Sequence, residues 1–251
     1  MSANAQSPHR SDARKSSPNR GSDGFRVGMI LYEEMTLLEL VGPQEILARV
    51  PGVETHLIGA GTAPITTESG ARILPDTTFD NAPPLNMLFV PGGPGVTMLM
   101  QDKVVLAFLR ERGTTARWIT SVGTGALVLG AAGLLVGRRA ATHWSATDLL
   151  PRFGALPSRE RVVVDGNRIT AGGGTAGLDF GLSLVAHIWG AGRAQSIQLD
   201  LEYDPKPPFE AGSPETATPV VVDALCETNI RSFEQRRYVA EHAAAALCPG
   251  D

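Results

Sequence analysis

The chain has 251 residues, 43% of them hydrophobic and 19% charged, which is ample apolar material for one large core. Its formal net charge of −4 argues against a nucleic-acid partner. Its longest apolar stretch, Ala126–Val136, is too short and too glycine-rich to span a membrane.

Residues 1–24 are rich in Ser, Asn, Arg, Asp and Gly, with Met1 and three alanines as their only hydrophobic residues. Such a stretch cannot bury enough surface to offset its ordering entropy, so a disordered, dispensable tail is expected; lacking an apolar stretch, it is no secretory signal. A single domain is then expected over residues 25–251. Phe25–Tyr32 reads as a first buried strand. Thr36–Leu40 predicts a helical turn that Gly42-Pro43 interrupts, with Pro43 opening a second helix to about Val50. Thr55–Gly59 predicts another strand, and Met87–Val90 a buried one that ends in Pro91-Gly92-Gly93-Pro94-Gly95. A helix over Lys103–Arg112 leads to a buried strand, Trp118–Val122, which stops at Gly123; a helix of small residues begins near Thr124. Arg161–Val164 and Arg168–Ala171 flank Asp165-Gly166-Asn167, a hairpin signal. Gly172-Gly173-Gly174 leads into a helix over Thr175–Trp189, and a last helix covers Thr216–Ala246.

Strands that alternate with helices predict an α/β domain, a mostly parallel sheet with helices on both faces. Ligands of such sheets bind beyond the carboxyl ends of the strands. Three glycine-rich loops follow strand ends here: Pro91–Gly95, Gly123–Gly125 and Gly172–Gly174.

Four segments carry candidate chemistry. In Ser121-Val122-Gly123-Thr124-Gly125, a tight strand-to-helix turn presents one residue at the mouth of the sheet, before a helix N-terminus that would hold a thiol ionised. Taken alone, a glycine that merely makes the turn is the simpler reading. Glu39 stands amid leucines, poorly solvated, which raises a carboxyl pKa and suits a general acid or base; a solvent-facing helix residue is the alternative. Gly92-Gly93 would point backbone N–H groups at an anion, although a plain tight turn accounts for it as well. Gly172, Gly174 and Gly177 match GxGxxG, with Asp200 further on, but too far along the chain for a dinucleotide fingerprint. Gly173, Gly177 and Gly181 also form a small-residue ridge suited to close helix packing.

Of the histidines, His9 is in the tail and His56, His143, His187 and His242 are isolated, so no Cys–His–Glu triad is legible; His143 reads as a core or supporting residue. Cys226 and Cys248 belong to no CxxC or Cys/His cluster, which leaves no metal site and a reduced, cytoplasmic setting as the expectation. The proline-rich Tyr203–Phe209 reads as a surface loop.

Taken together, over Phe25 to Ala246, these segments resemble the ThiJ/PfpI superfamily: first strand, acid before Gly-Pro, PGG, elbow, ATHW, GGGTAGLDF and the EYDPKPPFEAGSP loop. Within it, SVGTGALVLGAAGLL with THWSA and EYDP is most similar to the isonitrile hydratase branch. The resemblance implies a flavodoxin-like sandwich and a homodimeric, cofactor-free enzyme. Its substrate would be a small-molecule isonitrile, hydrated to an N-substituted formamide through a cysteine thioimidate. It implies a nucleophilic cysteine at position 123, a proton-shuttling acid at Glu39, Thr124 beside the nucleophile and on the substrate, and backbone donors at Gly92 and Gly93. Related sensors append a helix-turn-helix domain, which this chain is expected to lack.

Gly123 departs from that pattern, since a residue without a side chain cannot form a covalent intermediate. The chain is therefore expected to be inactive, either a variant stripped of its thiol or a natural small-molecule sensor or binding module. A glyoxalase-like hydratase is the third alternative.

Overall fold

The computed structural model describes residues 24–247. The expected tail lies outside them except for Gly24, as do His9 and Cys248. The main elements in chain order are β1 (Phe25–Ile30), α1 (Leu37–Leu47), β2 (Val53–Gly59), β3 (Thr77–Thr78), β4 (Met87–Val90), α2 (Lys103–Thr115), β5 (Trp118–Val122) and α3 (Gly125–Ala131). They continue with β6 (Val162–Asp165), β7 (Arg168–Ala171), α4 (Ala176–Trp189), α5 (Ala191–Asp200) and α6 (Pro219–Ala245).

The strands form one sheet in the order β6-β7-β5-β4-β1-β2-β3, parallel throughout except for the β6–β7 hairpin. Helices cover both faces, so the central strands need no polar side: every residue of β4 and β5 is buried. The chain runs outward from β1 to β2 and β3, then returns to place β4 on the other side of β1. The order reverses between β1 and β4, and the loops after β4, β5 and β7 emerge beside that crevice at the carboxyl ends. The mostly parallel sandwich expected from the alternation is thus present.

Pro43 does not start a helix. Helix α1 is continuous from Leu37 to Leu47 with Pro43 inside it. A proline there removes one intrahelical bond and costs ~3 kcal/mol in isolation. Tertiary packing overrides that cost: the Pro43 ring lies against Gly177 of α4, where an added Cβ would meet Pro43 Cδ at 3.2 Å. One turn on, a Cβ at Gly181 would lie 2.7 Å from Ile46 Cδ1. The Gly177–Gly181 part of the ridge is therefore consumed by the α1–α4 contact within the chain. Three helical segments went unread in the sequence: α5, a single turn over Val96–Leu99 and a 3-10 stretch over Trp144–Phe153.

Candidate active site

Position 123 follows directly on β5. Gly123 has φ of 54°, the left-handed region that glycine enters without strain. The turn is tied on both sides: its N–H donates to the carbonyls of Ala171 (3.1 Å) and Gly172 (3.0 Å), and its carbonyl accepts from Thr142 Oγ1 (3.0 Å). Helix α3 behind it is seven residues long and wholly buried.

Glu39 lies in the first turn of α1 and is only 4% exposed. Its carboxylate is gripped from two of the three glycine loops. Gly92 N–H donates to Oε2 at 2.8 Å, and Gly174 N–H donates to Oε1 at 2.7 Å. Burial pushes the Glu39 pKa up to about 7, against the opposing pull of those two backbone donors. A proton is thus exchangeable near neutral pH, as a general acid or base requires.

The carboxylate also occupies the space that a side chain at position 123 would need. A Cβ built on Gly123 overlaps both Glu39 oxygens and lies 2.6 Å from Cδ. With no side chain at Gly123, the acid fills the space that a Cβ there would take. The remaining expected residues close around the same point. Thr124 Oγ1 accepts from Gly93 N–H at 3.0 Å, so the N–H groups of Gly92 and Gly93 both point into the site and are both engaged by its own side chains. A Cβ at Gly92 would sit 2.5 Å from Glu39 Oε2 and from Thr124 N, which leaves room there for glycine alone.

Two participants, Gly174 and Tyr32, were not assigned to the site from the sequence, and His143 was read as a core or supporting residue. Gly174 belonged to a motif discounted as a cofactor decoy; its N–H, 135 residues from Glu39, now fixes the acid. Tyr32 is buried and donates from its hydroxyl to the Pro91 carbonyl at 2.7 Å. His143 Nδ1 accepts from Ser145 N–H at 3.3 Å and pairs with Ser145 Oγ at 2.8 Å, which leaves the ring proton on Nε2. Burial, with help from Arg236, holds its pKa down at about 4, so the ring is neutral. His143 lines a cleft of about 490 Å³ with Thr142, Trp144, Gly172 and Gly173, and a Cβ added at Gly173 would lie 3.2 Å from Glu39 Oε1.

A model of the DJ-1/PfpI family matches residues 25–187. The chain is 47% identical over 223 residues to an isonitrile hydratase of Pseudomonas putida, covering 89% of this chain and 98% of that protein. It is 30% identical over 197 residues to an HTH-type transcriptional regulator, GbdR, of Pseudomonas aeruginosa, covering 74% of this chain and 53% of the regulator. Among solved structures, a ThiJ/PfpI family protein from Pseudomonas syringae superposes with a TM-score of 0.85 at 41% identity, covering 92% and 99% of the two chains.

Proposed function

This chain belongs to the DJ-1/PfpI family, and on that footing we propose that its site is that of an isonitrile hydratase lacking its thiol, able to bind small isonitriles but not to turn them over. The observation that carries the reading is the Glu39 carboxylate, buried, held by Gly92 and Gly174 and placed directly against position 123. The similarity to the Pseudomonas putida hydratase over almost the whole chain supplies the substrate class.

With a cysteine at position 123 the chemistry would run as follows. The thiolate attacks the isonitrile carbon, and Glu39 delivers a proton to that carbon, giving a thioimidate. Water adds at the same carbon with Glu39 taking its proton, the C–S bond breaks, and the nitrogen is protonated. Water's oxygen and its two hydrogens end in the formamide, and the thiolate and the acid are restored. With Gly123 the bond to sulfur has no donor, and water alone must perform one harder step. The test is an isonitrile hydration assay on this chain and on Gly123→Cys, side by side.

A second reading, a small-molecule-sensing module, is favoured by the likeness to the transcriptional regulator and by a site that is intact except for its nucleophile. A cytoplasmic location and a homodimer complete the proposal. The small-residue ridge of α4 offers the dimer nothing, because Gly177 and Gly181 are spent on α1. Its support is the resemblance together with exposed apolar side chains along α6, Val220, Leu225 and Ile230. Light scattering at micromolar concentration should give twice the chain mass; a monomer refutes it.

A further inference from the structure

Tyr32 stands just beyond β1 and is 5% exposed, with its ring beneath the loop that follows β4: a Cβ added at Gly95 would lie 3.0 Å from Tyr32 Cδ2. Its hydroxyl donates to the Pro91 carbonyl at 2.7 Å, and the bond is buried. The same peptide unit carries the Gly92 N–H, which donates to Glu39 Oε2 at 2.8 Å. A trans peptide is planar, and its C=O and N–H point in opposite directions. Tyr32 and Glu39 therefore hold one rigid unit by its two ends.

The next unit is held in the same way. The Gly92 carbonyl accepts from Thr36 N–H at 2.8 Å, and Gly93 N–H donates to Thr124 Oγ1 at 3.0 Å. Of the four ends, three are met by backbone or by side chains already placed in the site, and the Pro91 carbonyl alone depends on a hydroxyl outside it. The lock matters because residue 92 is glycine, which leaves its peptide free to turn over. A flipped Pro91–Gly92 unit would aim a carbonyl at the carboxylate in place of an N–H. The hydroxyl also polarises the unit, because a carbonyl that accepts a hydrogen bond makes the N–H at the other end a stronger donor.

We infer that Tyr32 is a positioning residue for Glu39: through the Pro91–Gly92 peptide it fixes the donor that holds the carboxylate against position 123. The inference rests on the reading of Glu39 as the acid of that site. The hydroxyl's bond goes to Pro91 and not to the carboxylate, so Tyr32 acts through the peptide. The Gly92 bond favours the charged acid and opposes the burial that raises its pKa to about 7. Loosening that bond raises the pKa further. Glu68, Arg236 and His143 are the other charged or titratable groups around the carboxylate, and a substitution at Tyr32 leaves all three in place.

The test is Tyr32→Phe, which removes one oxygen and keeps the ring. In a magnetic-resonance titration of isotope-labelled glutamate carboxyls, the Glu39 signal is identified by its absence from Glu39→Gln. Its midpoint should move up by about half a unit or more. The Gly92 N–H should exchange with solvent about tenfold faster, while the Gly174 N–H, the carboxylate's other donor, keeps its rate. Tyr238→Phe, on the exposed side of α6, is the control and should change neither. On the parent chain, which needs no variant to fold, the Pro91 carbonyl carbon should titrate with the midpoint of Glu39, because one peptide joins the two. An unmoved midpoint in Tyr32→Phe, even with a lower melting temperature, overturns the inference. So does equal acceleration at Gly92 and Gly174, or a Pro91 carbonyl blind to the Glu39 titration. Failure of the hydratase reading is seen separately, as absent turnover in Gly123→Cys, because the titration requires no turnover.

Discussion

Glu39 and Arg236 are the two charged residues buried among the described residues, and the chain treats them oppositely. Glu39 receives a backbone N–H on each oxygen, from loops that follow β4 and β7. Arg236 receives one distant hydroxyl. The difference follows from what the carboxyl ends of parallel strands offer. Loops running into helix starts expose N–H groups, which complete an acid at once. A guanidinium needs oxygens, and it lies on a helix whose carbonyls are already spent. The acidic flank of the site is finished by the fold; the Arg236 Nε–H is left without an acceptor among the described residues.

The largest expected effect tests the finished flank. Gly123→Cys should take isonitrile hydration from undetectable to measurable turnover, with a transient adduct seen by intact-mass spectrometry. The substitution costs ~1 kcal/mol for a Cβ at positive φ, and it must also push the Glu39 carboxylate off the position it now fills. A folded Gly123→Cys protein that shows neither turnover nor adduct with several isonitriles sinks the hydratase reading and leaves the sensor in its place. Next, Glu39→Gln in that background should keep the fold and lower turnover by ~100-fold or more, the scale of a lost general acid/base. Near-normal turnover would remove Glu39 from the mechanism.

Of comparable size in stability is the pH response of Glu39 in the chain as it stands. Its pKa in the folded protein, about 7, lies above its ordinary 4.5. Between those values the folded state holds a proton that the unfolded state has lost. Stability is therefore full below about pH 4.5 and falls as pH rises through 7, by about 3 kcal/mol for this one group. Denaturant titrations from pH 4.5 to 8 should show that loss, and Glu39→Gln should flatten it; an equal slope in both proteins refutes the assignment.

The smallest effect probes the other buried charge. Arg236→Met removes a buried charge without stranding a partner, so stability should hold or rise by ~1 kcal/mol. Loss of several kcal/mol on thermal melting would mean that Arg236 is a structural residue, with its own partner inside the protein.

The sequence by itself determined the elements whose signals are local. β4 and β5 stand where they were read, residue for residue, because a short apolar run closed by a glycine turn fits only a buried strand. Glu39, Gly92, Gly93, Gly123 and Thr124 were singled out as one site, and the structure brings them together. Pro43 was misread as a helix start because its penalty is local and its compensation, the glycine ridge of α4, lies far along the chain. Arg236 sits in a helix so polar that its buried stripe, continued by Val239, Ala240 and Ala243, is faint. The grip of Gly174 on Glu39 joins loops that only the sheet order brings side by side. Periodicity and turn chemistry report what a segment does within a dozen residues. Which distant donor meets a buried carboxylate, and which buried cation meets none, depends on long-range closure, and that was settled only when the strands paired.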